Sequence, residues 1–214
     1  LSALDDRGLR DDATVVLAGD HGEEFMEHGH LAHYPKLYEE LVHVPFVVDA
    51  PDAEPRRVED AVGLEAVPAT VCDAMGVPTD GLAGESLLPT VHDGEAPPDE
   101  PVTSVAVRGE RVTSQPIPRH LDDGELLVSA RTADWAYVYH TDSEDRELYD
   151  RTRDPTEQDD RWAEKADSEV VRRLHDAVER RLERIGSADA DEEATDAAGP
   201  PSGVTDQLKA LGYQ

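Results

Sequence analysis

The chain has 214 residues and a net charge of −29, with 49 Asp+Glu against 20 Lys+Arg. That length can bury a sizeable core, either as one large domain or as part of a larger one. So acidic a surface repels nucleic acid and anionic lipid and argues against both as partners.

In chain order, residues 1–9 read as the end of a helix stopped near Gly8. Ala13 to Ala18 is a short apolar, β-branched run that predicts a buried, parallel strand. Gly19 to Lys36 is polar and rich in His and Gly, a loop with room for one helical turn. Leu37 to Val42 suits a short helix. Val44 to Val48 is a second apolar run, with Pro45 near its start, where a strand tolerates proline. Strand, connection and strand of this kind suit an α/β sheet. Leu64, Val67, Val71 and Met75 recur at helical spacing, and Gly76 sits in the usual capping place. Gly81 to Pro89 reads as a loop, and 91–101 as a Pro-rich acidic linker. Val102–Arg108, Leu126–Arg131 and Trp135–His140 predict an antiparallel sheet. Glu147 to Asp160 reads as a polar turn region. Residues 163–185 form an amphipathic helix, with Val170, Val171, Leu174, Ala177, Val178, Leu182 and Ile185 on one face, expected to cover that sheet. The domain division that follows is 1–95 as part of an α/β core and 102–185 as a subdomain. A disordered acidic tether over 186–206 and an apolar anchor over 207–214 complete it.

Cys72 is the only cysteine, which excludes an intrachain disulfide and a Cys-based zinc cluster. It sits on the apolar side of a predicted helix, as a buried inert thiol. No apolar run approaches the ~20 residues of a membrane span. Two readings of the acidity compete, a local function such as cation storage and adaptation of the whole surface to high salt. Carboxylates spread along the chain, with lysine only at positions 36, 165 and 209, favour the second, because salt screens their mutual repulsion.

Chemistry concentrates in one stretch. Five of the nine histidines, His21, His28, His30, His33 and His43, fall within 23 residues. Asp20 and His21 lie just past the end of an apolar strand, where ligand sites of α/β sheets gather. A carboxylate with an imidazole suits Mg, Mn, Ca or Zn, and Gly19 and Gly22 let the backbone turn tightly. A structural turn is the plain alternative.

The segment TVVLAGDHGEEFMEHGH…LYEELVHVPFVV resembles the sulfatase family of the alkaline-phosphatase-like superfamily, whose members show a strand, S/A-D-H/N-G-E, G-x-H-G, L-Y-E-E-x-x-x-V-P and another strand. VPATVCDAMGVP, GLAGESLLP, ADWAYVYH and ELYDRTRDPTEQDD resemble later family segments in the right order. The closing LKALGY is similar to the ends of haloarchaeal members.

The resemblance implies a mixed sheet sandwich, a small antiparallel sheet with a covering helix, and hydrolysis of a small-molecule or glycan sulfate ester. Phosphodiester or phosphonate monoester hydrolysis is the alternative within the superfamily, and a non-catalytic module retaining the fold is the alternative outside it. It also implies one divalent cation (Ca, Mg or Mn), with Asp20 and His21 as the second pair of its ligands. The family's lysine that contacts the ester oxygens falls at His33, with Lys36 three residues further on, so either side chain is a candidate for that contact. For both, a solvated loop residue is the plain alternative. His28 matches the G-x-H-G histidine, a candidate for orienting the metal ligands, although Met26 replaces the usual glycine. The nucleophile motif C/S-x-P-x-R, source of the family's formylglycine, does not occur in the 214 residues. Ser86 is no substitute, because a nucleophile elbow needs Gly two residues later. The expectation is a carboxy-terminal part, inactive alone and partnered by the amino-terminal half of the same enzyme. An export signal would precede Leu1, so cellular location stays open, with the cytoplasm slightly favoured.

Overall fold

The computed structural model describes residues 1–107 and 126–196. One compact unit runs from Leu1 to Val178, and a second begins at Glu179.

The first unit opens with a short helix, α1 (Ser2–Asp5), which ends ahead of Gly8 with its φ of 61°. Strand β1 (Val15–Ala18) leads into the Gly19–Glu23 turn. A small ribbon follows, β2 (Glu24–Phe25) with β3 (Leu31–Ala32), then α2 (Glu39–Val42) and β4 (Phe46–Asp49). The ribbon replaces the helical turn expected between Gly19 and Lys36. Strand β1 pairs with β4 antiparallel, in the register Val15↔Asp49 to Ala18↔Phe46, and not in the parallel arrangement the apolar run suggests. The connection, residues 19–45, is long enough for either arrangement, and here it returns the chain to pair antiparallel. Nor is β1 fully buried, since Leu17 is 57% exposed, as is its partner Val47 at 54%.

Helix α3 (Ala66–Ala74) ends at Gly76, whose φ of 67° continues the chain in the left-handed region. It buries Ala66, Ala69 and Thr70, while Val71 and Met75 on the expected apolar face are exposed. The Thr70 hydroxyl explains the reversal, because it donates to the Ala66 carbonyl (2.7 Å) and accepts the Leu87 N–H (3.0 Å). Cys72 is accordingly half-buried. Helix α4 (Leu88–Asp93) occupies part of the stretch expected as loop and linker. Its first turn is fixed by Ser86, which donates to Asp73 (2.5 Å) and accepts the Leu88 N–H.

Strands β5 (Val102–Val107), β6 (Leu126–Arg131), β7 (Trp135–His140) and β8 (Arg146–Asp150) form an antiparallel sheet in sequence order. The first three were expected. The fourth lies in the supposed turn region, where Arg146, Glu147 and Asp150 obscure a strand whose Glu147, Leu148 and Tyr149 are all buried. A short helix α5 (Trp162–Lys165) precedes α6 (Glu169–Asp196). The single helix expected over 163–185 is thus broken between Lys165 and Glu169. It then continues into the stretch whose composition suggests a tether, and residues 197–214, including the expected anchor, lie outside the described residues.

The sheet is covered on both faces. Tyr137 and Tyr139 meet His175 of α6 on one side, where Val171, Leu174, Ala177 and Val178 are buried. Leu127, Arg131, His140, Glu147 and Tyr149 face the other way, toward the 34–42 segment. Leu37 packs on Leu127 there, and the Tyr38 ring meets Tyr149 edge-on. This second contact holds the segment carrying α2, and with it the turn after β1.

Candidate functional site

Asp20 and His21 leave β1 into a turn whose shape is set by what lies behind it. The Gly22 N–H donates to the Leu41 carbonyl at 2.8 Å. A Cβ on Gly22 would stand 1.9 Å from the Glu40 carbonyl oxygen, so glycine is required by close approach to α2 and not by an unusual φ.

Within the turn each potential ligand has one atom committed and one free. Asp20 Oδ1 accepts the His21 N–H (3.0 Å). That bond chiefly, with its own N–H and the His21 imidazole, holds the carboxyl below its ordinary range. His21 Nδ1 lies 2.7 Å from the Gly22 carbonyl oxygen, which can only accept, so Nδ1 carries the proton. The same hydrogen bond is the main influence raising the imidazole above its usual pKa. Asp20 Oδ2 and His21 Nε2 remain, 3.9 Å apart and open to solvent.

His33 is brought to this turn. Its ring centroid is 4.5 Å from that of His21, and its Nδ1 is 3.1 Å from Glu23 Oε2. One ligand atom each from His21, Glu23 and His33 lie within 4.8 Å of one another, all three residues exposed. Lys36 is placed differently. Its ammonium donates to Glu24 Oε2 (2.7 Å) and the His28 carbonyl (3.2 Å), and lies 2.9 Å from His30 Nδ1. Burial alone would raise the Glu24 carboxyl, but Lys36 and the N–H groups of His30 and His28 hold it below its ordinary range. His28 points into the same interior. Its Nδ1 is 2.7 Å from Glu40 Oε1, its Nε2 3.0 Å from the Glu157 carbonyl, and its ring stacks on Tyr38 at 3.8 Å. Burial disfavours its charged form, yet those two acceptors raise its pKa on balance.

The residues that pin this loop were not singled out from sequence. Arg131 of β6 grips both oxygens of Glu157, Glu39 Oε2 at 3.1 Å, and the Leu37 carbonyl. Glu39 also takes Arg151 at 2.7 Å, so it ties elements together. Glu157, fully buried with a left-handed φ of 55°, accepts the Glu39 N–H at 2.9 Å. Asp154 makes that turn possible by gathering the N–H groups of Gln158 (2.6 Å) and Asp159 (2.7 Å). Glu147 accepts Tyr38 (3.0 Å) and Tyr149 (2.5 Å) and sits 2.8 Å from His140 Nε2. Burial, then the Glu147 charge, pushes the Tyr149 phenol far up. A cavity of about 410 Å³ lies among these groups, lined by His28, Lys36, Tyr38, His140, Glu147 and Gln158. The available signal was the pairing of L-Y-E-E with D-P-T-E, motifs whose carboxylates face one arginine.

Residues 1–77 match the family model described as Sulfatase. Arylsulfatase K of Gallus gallus is 31% identical over 164 residues, covering 73% of this chain and 29% of that protein. A solved structure in complex with its substrate D-glucosamine-2-N,6-O-disulfate superposes with a TM-score of 0.67 at 21% identity, covering 90% of this chain and 38% of that one. The phosphonate monoester hydrolase of Agrobacterium radiobacter does so with a TM-score of 0.62 at 23% identity, covering 89% and 37%. The chain therefore spans less than two fifths of the length of each of these proteins.

Proposed function

We propose, from the match of residues 1–77 to the Sulfatase family model and the alkaline-phosphatase-like fold, that this chain supplies two cation ligands and an ester-oxygen contact to a hydrolase of sulfate esters. The carrying observation is the free pair, Asp20 Oδ2 and His21 Nε2, 3.9 Å apart at the end of β1, with the His33 ring beside it. An oxygen and a neutral nitrogen at that spacing fit one Ca, Mg or Mn ion bridging them, with further ligands from outside the described residues. The bound cation would lend positive charge to the ester oxygens and to the nucleophile. Asp20 holds charge toward that ion, and the Gly22 carbonyl keeps the His21 Nε2 lone pair available. His33 takes the lysine's place. As an imidazolium it would hold the anionic group or protonate a departing oxygen. Lys36, committed to Glu24, supports the loop from inside, and His28 does the same by tying it to Glu157.

The substrate held by one structural neighbour, a sulfated glucosamine, favours a sulfated sugar. Nothing in the 214 residues supplies the formylglycine nucleophile, so the remaining half of the site is assigned to an amino-terminal part of the same enzyme, and the chain alone is expected to show no turnover. Sequence upstream of Leu1 should then carry C/S-x-P-x-R and a second acidic ligand pair. Its absence from the intact gene would leave a non-catalytic module. With that upstream part present, paired aryl sulfate and aryl phosphonate monoester assays decide the ester type, and faster phosphonate turnover would overturn the sulfatase reading. Mn²⁺ titration of the intact enzyme, with its amino-terminal part present, tests the ligands directly. Asp20→Ala and His21→Ala should each weaken binding at least tenfold, and unchanged affinity in both would refute the assignment. The even spread of carboxylates supports a high-salt setting, in which stability should rise as salt shortens the screening length from about 10 Å to about 3 Å.

A further inference from the structure

The ribbon register puts Glu24 opposite Ala32, so the next pair outward is Glu23 and His33, facing each other at the ribbon's open end. Their contact at 3.1 Å follows from that pairing. The ribbon is itself anchored, because Glu24 is buried against Lys36. His21 comes to the same point from the other side, on a turn fixed by the Gly22–Leu41 hydrogen bond. Two imidazoles and one carboxylate are thus gathered by backbone constraints, with solvent on the open side. Two nitrogens and one oxygen form a ligand set for a borderline ion of the zinc class, which takes three protein ligands and a water. Magnesium and calcium favour oxygen, so a set with two imidazoles suits them less than the Asp20–His21 pair does.

We propose that His21, Glu23 and His33 form a second metal site, distinct from the Asp20–His21 pair and selective for Zn²⁺ or its borderline neighbours. His21 belongs to both sites, and its Nε2 can serve one ion at a time. A zinc ion there also occupies His33. On the reading given under Proposed function, zinc is therefore a competitive inhibitor of both cation binding and ester contact.

The test uses the whole chain carrying Cys72→Ser, with Zn²⁺ alone as the probe in calorimetric titration. One ion per chain is expected, weakened at least tenfold by His33→Ala and about fivefold or more by Glu23→Gln, and changed less than threefold by Asp20→Ala. Mn²⁺ affinity, measured on the intact enzyme with its amino-terminal part present, should show the opposite pattern, sensitive to Asp20→Ala and indifferent to His33→Ala. Zinc affinity that survives His33→Ala, or that falls equally with Asp20→Ala, overturns the second site. Loss of the Mn²⁺ pattern alone overturns the Asp20–His21 assignment and leaves the zinc site standing.

Discussion

The segment from Gly19 to His43 has two faces made from the same residue types and put to opposite uses. On the outer face Asp20, His21, Glu23 and His33 are exposed, with free ligand atoms. On the inner face Glu24, His28, His30 and Lys36 are buried or nearly so and bonded to one another, to Glu40 of α2 or to the Glu157 turn. Glu23 and Glu24 are adjacent, yet one faces solvent and the other is fully buried. Period-two alternation at the start of β2 separates this adjacent pair. The lesson is that histidine or carboxylate density does not locate a site. What separates ligand from anchor is which side of the ribbon a residue takes.

The contrast can be broken most severely from inside. Arg131→Met should cost about 3–5 kcal/mol of unfolding free energy in urea denaturation, because it strands the buried Glu157 carboxylate. Lys36→Met should cost about 2–3 kcal/mol, less because Glu24 keeps the N–H donors of His28 and His30. A loss as small as a surface substitution gives would place Lys36 with the outer residues after all.

His28 sharpens the contrast through pH. Its pKa is raised in the folded state, so its contribution is complete below the unfolded value of about 6.5 and disappears as pH climbs through the higher folded value. Thermal stability should decline over that window and the decline should be smaller in His28→Phe, which keeps the stack on Tyr38, because His21 is also raised and contributes with the same sign. An identical slope in the variant would assign it to another group. The smallest effects belong to the outer face. Asp20→Ala and His33→Ala should leave the melting temperature unchanged while altering metal affinity.

Much of the site's position was readable from the chain. The apolar run ending at Ala18, followed by Gly-Asp-His-Gly, put Asp20 and His21 in a turn after a strand, where the structure has them. The direction of strand pairing was not readable, since β-branched runs look alike in either arrangement. Strand β8 escaped because Glu147 interrupts its apolar pattern, although three partners satisfy that carboxylate. The ion pairs of the inner anchors escaped for a different reason. Lys36 and Glu24 lie twelve positions apart, and Arg131 and Glu39 ninety-two apart, and only tertiary folding makes such charges neighbours. The role of Gly22 was misjudged in kind, because a carbonyl from another element and not the turn's own curvature demands it.

That crowding at Gly22 gives the molecule a built-in reporter. Its amide proton is held by the Leu41 carbonyl, with no space for α2 to slide past the turn. Isotope exchange at this single amide should therefore register loosening of the distant arginine clamp as well as the arrival of an ion in front of it. One nuclear resonance would follow both faces of the loop.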